Sequence, residues 1–404
     1  MPEDDRYRTS SQFRLWSFTK EGLTSIRAKT NANACKRVKR ASVNQPDAEK
    51  GTVGHSDLDI DCLLPEEELE LVQYYCEKTL ELADEYQPPL PTTVRATAIQ
   101  YIRRFYLTNS AMIYHPKDIM PCALFLATKT ENYYMPLRSF AEKIPKLSPE
   151  EIIGPEYLLS EGLRYTFDIR HPFRGLDGGM MELHAIVNGQ GPLKPNAPEQ
   201  SATEIQQYIE TNYPPPAGSA AKSIADRIGL VHNQTRHILK AAAQTTDAYF
   251  LFSPPQIWLS ALLLIDKPLL DFYLDTKFGP NTSDPAAPDS SKDSPPAVAS
   301  MRKVLLETLA SCSMLLSDYM KKHGPNVPPD PARMTNLKRI GKKLYLCQHP
   351  EKRLGSKKRE GSGSVTPAAV IGPVSDADQT DTHVTKKRKL QGSTTIEGDE
   401  SNDM

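Results

Sequence analysis

The chain has 404 residues, 39% of them hydrophobic and 25% charged, a composition typical of a globular protein that also carries polar segments. Its 49 basic and 50 acidic residues leave a net charge of −1, so no overall electrostatic field draws it to DNA or to a membrane surface. The polar N-terminus has no apolar signal core, and the longest apolar run, residues 257–265, is far shorter than the ~20 residues of a membrane span. We therefore expect an intracellular protein with no membrane partner.

The N-terminal extension, residues 1–56, is polar. Within it, Ser17–Arg40 is predicted to form a basic helix that carries Leu23 and Ile26 on one side. Two interpretations of its basic cluster remain open, a solvated helix flank or a contact with nucleic acid, and we expect no sequence-specific nucleic-acid binding. The cluster consists of Lys36, Arg37, Lys39 and Arg40.

Residues 57–170 form the first region with dense apolar periodicity. Apolar residues recur there every three to four positions, and no alternating strand pattern of useful length appears, so the region is predicted to be a bundle of five helices. The segment Ile119–Ala127 is apolar on every side, which predicts a buried central third helix. Ala123 and Ala127 lie four residues apart on it and let neighbouring helices approach closely.

Residues 171–322 repeat this pattern more loosely, with insertions at 188–218 and 279–298 that are rich in Pro and polar residues. The fold class is therefore predicted as all-α, with two tandem five-helix bundles. From residue 323 the apolar pattern is lost, so residues 323–404 are predicted to be a disordered tail of basic and acidic stretches that cannot bury enough surface to order itself.

No catalytic pattern is present in the sequence. It has no Gly-rich phosphate loop, no HExxH and no GxSxG, so we predict no catalytic residues, no cofactor and no enzyme activity. The cysteines lack the paired spacing of a zinc or redox site, and we interpret them as small buried apolar residues rather than metal ligands. The cysteines are Cys35, Cys62, Cys76, Cys122, Cys312 and Cys347.

Five stretches carry a resemblance to a known family. Cys122–Glu131 (CALFLATKTE) ends in Ala-x-Lys-x-Glu and follows Arg104–Pro116 (RFYLTNSAMIYHP). Phe167–Arg174 (FDIRHPFR) lies at the join between the two helical regions, and Thr246–Leu259 (TDAYFLFSPPQIWL) lies in the second one. Together with Ser10–Phe18 (SSQFRLWSF), these stretches resemble the cyclin family, and within it the cyclin H branch of fungi.

The resemblance implies two tandem cyclin boxes in a regulatory, non-catalytic subunit. Cyclin H binds and activates the cyclin-dependent kinase of the CDK-activating kinase, which also contains a RING-finger assembly subunit. That complex belongs to transcription factor IIH and phosphorylates the C-terminal domain of RNA polymerase II and the activation loops of other cyclin-dependent kinases. We therefore expect a kinase catalytic subunit, a RING-finger subunit and the core of factor IIH as partners.

The resemblance also implies which residues contact the kinase. Lys129, near the end of the third helix, and Glu156, in the fifth, match the cyclin residues that bond to the αC helix of the kinase and to the loop before it. From the sequence alone, Lys129 is equally explained as a C-terminal lysine that complements the helix dipole. Gly154 and Pro155 precede Glu156, so a helix break there would move the carboxylate.

A short basic run near the C-terminus fits a nuclear import signal, which agrees with a nuclear location; a generic charged tail is the alternative. The run consists of Lys386, Lys387, Arg388 and Lys389.

Two other classes of protein share the fold. A cyclin C-type transcriptional cyclin would lack the N-terminal and Thr-Asp-Ala-Tyr stretches. A cyclin-fold general transcription factor would bind DNA and usually carry an N-terminal zinc ribbon, for which this chain has no paired cysteines.

Overall fold

The structure is a computed structural model, and it describes residues 3–43, 60–144, 146–190, 201–279, 296–324, 327–328 and 330–349. Every regular element within these ranges is a helix. The helices are α1 (Glu3–Arg8), α2 (Ser11–Trp16), α3 (Lys20–Val43), α4 (Pro65–Asp84), α5 (Thr92–Thr108), α6 (Pro116–Thr130), α7 (Leu137–Ala141), α8 (Pro149–Ile153), α9 (Glu156–Gly162), α10 (Phe173–Val187), α11 (Ala202–Asn212), α12 (Ile224–Ile238), α13 (Ala248–Leu251), α14 (Pro254–Ile265), α15 (Lys267–Phe278), α16 (Pro296–His323) and α17 (Pro331–Gln348).

The first bundle is built around α6. Its residues from Ile119 to Thr128 are buried apart from Met120, because α4, α5, α8 and α9 pack around it. Ala123 and Ala127 are fully buried, and their small side chains leave room for the neighbouring helices. The prediction of an all-α fold with a central third helix is confirmed.

The second bundle is built in the same way around α14, which packs against α10, α12, α15 and α16. Pro254 occupies its first turn, and Ser253 and Gln256 form a capping box there. The Trp258 ring of α14 lies so close to α10 that a Cβ added at Gly179 would lie 2.7 Å from the ring. Glycine is therefore needed at this helix crossing.

The predicted fifth helix of the first bundle is divided into α8 and α9. Ser148 and Glu151 form the expected capping box at the start of α8, and α8 ends before Gly154 and Pro155. Proline supplies no N–H for the helical hydrogen-bond ladder, which accounts for the interruption. Glu156 consequently becomes the first residue of α9.

The insertion at 188–218 contains a helix, α11. Its N-terminus has a capping box of Ser201 and Glu204, and it buries Ile205 and Ile209 as it packs on α10. Residues 191–200 of this insertion lie outside the described residues. Residues 280–295, which make up most of the second insertion, also lie outside them.

The prediction of a disordered tail from residue 323 is wrong for residues 331–348. These form α17, which packs against α4 of the first bundle. The helix has a narrow apolar stripe, hidden in the sequence among lysines and arginines, whose residues are all buried. The stripe consists of Leu337, Ile340, Leu344 and Cys347.

Charge complementarity explains why so basic a helix can dock. Arg333 lies 2.5 Å from Glu70 and 2.8 Å from Glu77 of α4, and Lys343 lies 2.9 Å from Glu67. The basic partners of these acidic residues lie more than 250 residues away in the sequence. The remaining tail, residues 350–404 with Lys386–Lys389, lies outside the described residues.

Candidate partner-binding face

Lys129 and Glu156 lie together at one end of the first bundle. Lys129 is in the last turn of α6, and its ammonium group forms a salt bridge with the Glu156 carboxylate at the start of α9. The Lys129 ammonium also lies 5.1 Å from the centre of the Phe125 ring. Both charged side chains keep access to solvent, with 43% of Lys129 and 32% of Glu156 exposed. The helix break before Glu156 therefore leaves the carboxylate within reach of Lys129.

Exposed apolar and aromatic side chains flank this ion pair along the chain. Tyr157, directly after Glu156, is 74% exposed, and Tyr165, just beyond α9, is 57% exposed. Interaction with the Tyr157 hydroxyl raises the pKa of Tyr165. Ile153 at the end of α8 is also exposed. Tyrosines with open faces are frequent anchors of protein interfaces, so the surface is suited to binding another protein. We call these five residues, Lys129, Ile153, Glu156, Tyr157 and Tyr165, the docking face.

Glu131, the last residue of the Ala-x-Lys-x-Glu pattern, begins a hydrogen-bond chain between the two bundles. The Thr97 hydroxyl donates to the Glu131 carboxylate (2.6 Å) and also lies 2.8 Å from His171 Nε2. Because Thr97 has only one hydroxyl proton, Nε2 carries the imidazole proton and donates to Thr97. His171 Nδ1 therefore accepts from the Tyr249 hydroxyl of the second bundle (2.9 Å).

Burial and the neighbouring Arg104 lower the pKa of His171 to about 3, so its imidazole is neutral at physiological pH. This neutral form is the one that can accept from Tyr249 and donate to Thr97 at the same time. Tyr249, the tyrosine of the Thr-Asp-Ala-Tyr stretch, therefore links the second bundle to His171.

Asp247, from the same stretch, joins three parts of the chain. Both oxygens of its carboxylate accept hydrogen bonds from Arg27 of α3, at 2.6 and 2.8 Å. Arg103 of α5 lies 2.5 Å from Asp247 Oδ1 and also donates to the Thr245 carbonyl. Burial acts to raise the pKa of Asp247, but the hydrogen bond from Arg27 and the charges of Arg103 and Arg27 outweigh it, so the pKa is lowered.

The N-terminal segment is fastened to the join between the bundles, which the sequence did not predict in detail. The Gln12 side-chain amide exchanges two hydrogen bonds with the backbone of Arg170, and the Phe18 N–H donates to the Phe250 carbonyl. Trp16 is buried, and its indole N–H donates to Thr166 Oγ1 at 2.9 Å. The only signal for these contacts was the resemblance of Ser10–Phe18 to the cyclin pattern.

Within the described residues, no group of three or more His, Cys, Asp or Glu side chains is placed to hold a metal ion. The described helices include none that is both long and apolar enough to cross a membrane. Lys36, Arg37 and Arg40 are exposed on α3, and neither interpretation of this basic cluster is excluded.

A profile of the cyclin C-terminal domain matches residues 171–317. Cyclin CCL1 of Saccharomyces cerevisiae (strain ATCC 204508 / S288c) is 33% identical over 279 residues, which are 68% of this chain and 62% of the yeast protein. The putative cyclin-H of Dictyostelium discoideum is 36% identical over 196 residues, 46% of this chain and 62% of that protein. The chain thus spans 62% of the length of each of these relatives.

Two solved structures are also similar. A chain in the structure of the CAK complex of Chaetomium thermophilum bound to ATP-γ-S gives a TM-score of 0.64 at 29% identity, covering 91% of this chain and 100% of that chain. A chain in the cryo-EM structure of the yeast TFIIK complex (Kin28/Ccl1/Tfb3) gives a TM-score of 0.52 at 28% identity, covering 77% of this chain and 100% of that chain.

Two tandem bundles, each wrapped around a buried third helix, define the cyclin fold. With the matching profile, relatives and structures, the chain belongs to the cyclin family, and its similarity lies with the cyclin H branch.

Proposed function

We propose that the chain is a regulatory cyclin that binds and activates a cyclin-dependent kinase through the docking face. The observation that carries this proposal is the salt bridge between Lys129 and Glu156, which is open to solvent and followed in the chain by the exposed Tyr157. The similarity to a chain of the Chaetomium CAK complex supports it. The chain performs no reaction in this proposal; it changes the conformation of its partner.

Activation requires that the face bind one kinase conformation more tightly than the other. A kinase is active when its αC glutamate pairs with the β3 lysine and its Mg²⁺-binding aspartate is in place. A partner that binds only this state shifts the population toward it. A shift from 1% to 99% active needs ~5.5 kcal/mol of differential binding, more than one exposed ion pair supplies. Apolar contacts of Tyr157, Tyr165 and Ile153 are therefore needed beside the ion pair.

The Lys129–Glu156 pair determines the orientation in which the kinase makes this apolar contact. In the free chain each group satisfies the other. On docking, the ammonium group of Lys129 is able to donate to carbonyl groups at a helix C-terminus or a loop, and the carboxylate of Glu156 to accept from N–H groups. Such charge-assisted hydrogen bonds fix the orientation of a helix lying across the face.

We further propose that the active assembly is a CDK-activating kinase with a RING-finger assembly subunit, attached to the core of transcription factor IIH in the nucleus. The yeast TFIIK complex, with Kin28, Ccl1 and Tfb3, supports this composition. The substrates in this proposal are the C-terminal domain of RNA polymerase II and the activation loops of other cyclin-dependent kinases. Residues 386–389 are the proposed nuclear import signal.

Affinity purification of the full chain from nuclear extract tests this function. We expect a cyclin-dependent kinase and a RING-finger protein to co-purify, and the kinase to phosphorylate a heptad-repeat peptide. Recovery of another kinase class, or tight binding of the isolated chain to promoter DNA at physiological salt, would contradict it.

Lys129→Ala tests the face itself. Loss of a charge-assisted interface contact predicts about tenfold weaker kinase activation, with an unchanged helical circular dichroism spectrum because Lys129 is solvent-accessible. Lys267→Ala, which removes an exposed ion pair with Asp271 on the second bundle, is the matched control and leaves activation unchanged. If the wild type, Lys129→Ala and Lys267→Ala activate the kinase equally, Lys129 is not a contact residue for the kinase.

A further inference from the structure

We propose that Trp16 is a positioning residue for the docking face; this inference rests on the proposed function. Trp16 ends α2 and is 1% exposed, so it presents no surface to a partner. The guanidinium groups of Arg104 and Arg164 lie 4.9 and 5.2 Å from its ring centre. Its indole N–H donates to Thr166, so Trp16 contacts the residues on both sides of Tyr165.

The turn that Trp16 holds has an unfavourable backbone conformation. Arg164 and Tyr165 have φ angles of 53° and 52°, in the left-handed region that residues with a side chain rarely occupy. The N–H groups of these two residues bond to the carbonyls of Glu161 and Ser160 in α9, at 2.8 and 2.9 Å. The two capping hydrogen bonds favour this conformation at the end of α9, and the contacts of Trp16 on either side of Tyr165 add to them.

The conformation of residues 164 and 165 determines where the exposed tyrosines lie. Tyr165 is part of the strained pair, so the turn fixes the position of one exposed tyrosine of the docking face directly. Tyr157 follows Glu156, whose carboxylate is paired with Lys129. A continuous series of contacts therefore runs from the buried indole to the docking face. Trp16 thus sets the geometry of the face although it presents no surface to a partner.

Hydrogen exchange of the isolated full chain tests the positioning directly. In Trp16→Ala, amides of residues 160–167 exchange about tenfold faster, because a ring with two cation–π contacts and one hydrogen bond no longer holds the turn. The matched control is Val38→Ala, which also removes a buried side chain from the N-terminal segment but belongs to a different hydrophobic cluster from Trp16. It leaves the exchange of residues 160–167 unchanged. Wild-type exchange of that segment in Trp16→Ala would overturn the proposal.

Substitutions at the turn separate positioning from general packing. With the kinase recovered by affinity purification, Trp16→Ala lowers affinity about tenfold, and Trp16→Phe, which keeps a ring between the two guanidinium groups, restores part of it. Arg164→Gly in the Trp16→Ala background also restores affinity, because glycine adopts a left-handed conformation without steric cost. A double variant that binds no better than Trp16→Ala would overturn the proposal.

The two proposals fail in different ways. If Trp16→Ala loosens residues 160–167 but neither it nor Lys129→Ala alters kinase affinity, the docking face is wrongly assigned, and the link from Trp16 to kinase binding falls with it. If Lys129→Ala weakens binding while Trp16→Ala changes neither exchange nor affinity, the proposed function stands and the positioning role is refuted.

Discussion

At the scale of single residues, Asp247 makes long-range contacts that join α3 and α5 to the second bundle. Its carboxylate is bound by Arg27 of α3 and Arg103 of α5, two residues more than 140 positions away along the chain. The Arg103 side chain is 3% exposed, so its charge depends on Asp247 for compensation. A buried guanidinium group left without its carboxylate is costly, whereas the intact pair adds specificity to the packing of the two bundles.

The lowered pKa of Asp247 predicts how stability depends on pH. A carboxyl group whose pKa is lower in the folded than in the unfolded chain stabilises the fold above its unfolded pKa of ~3.9. That contribution is lost as the pH falls through the folded pKa, below about 4. Asp247→Asn should therefore lower the free energy of unfolding by about 3 kcal/mol at pH 7 and by less at pH 3.

Urea unfolding at both pH values measures this effect. Asp168→Asn is a suitable control because Asp168 forms an exposed ion pair with Arg170, and its effect should be small at either pH. An Asp247→Asn variant whose free energy of unfolding falls equally at pH 7 and pH 3 would show that the charge of Asp247 is not what stabilises the fold.

At the scale of elements, helices with wide apolar stripes were predictable from sequence, and α17 was not. The central α6 was predictable because Ile119–Ala127 is apolar on every side. In α17 the apolar stripe is narrow and basic residues dominate the local composition, so the pattern favours a solvated tail. What orders it is the set of acidic residues on α4, and contacts between segments so distant in sequence leave no local signal.

The docking face was also predictable from the sequence only in part. Lys129 and Glu156 were expected from their match to the cyclin pattern, and the structure places them in contact. The strained turn at Arg164 and Tyr165 was not expected, because nothing in their local sequence indicates a left-handed backbone. The side chain that contacts this turn, Trp16, is distant in sequence, and only the folded chain brings it close.

The packing of α17 predicts a cost for shortening its apolar side chains. Ile340 is fully buried, so Ile340→Ala should lower the free energy of unfolding of the first bundle by about 2–4 kcal/mol. Lys342→Ala, on the exposed side of the same helix, should change it by less than about 0.5 kcal/mol. Denaturant unfolding of the full chain provides the measurement. Equal stability of the two variants would mean that α17 does not dock in solution.

At the scale of the whole molecule, hydrogen bonds hold the two bundles and α3 together. Besides the contacts of Asp247, Thr30 of α3 donates to the Leu107 carbonyl of the first bundle, and Gln100 of α5 donates to the Gln244 carbonyl of the second. A cyclin that works by binding one kinase state must not itself yield on docking, because its own deformation would consume the differential binding energy. In the proposed function, rigid packing where the two bundles meet therefore matters for kinase activation, although these contacts lie outside the docking face.

The hydrogen-bond chain through His171 predicts how the bundles lose their coupling. His171→Leu keeps most of the side-chain volume but leaves the buried hydroxyl of Tyr249 without its acceptor, at a cost of about 1–3 kcal/mol. Because this cost falls on the joint and not on either core, the wild type should unfold in one calorimetric transition and the variant in two overlapping ones, with the calorimetric enthalpy exceeding the van't Hoff enthalpy. His184→Leu, within α10 of the second bundle, should keep a single transition. One sharp transition in His171→Leu would show that other contacts couple the bundles, and loss of kinase activation in parallel with the split would establish that the joint must be rigid for the cyclin to act.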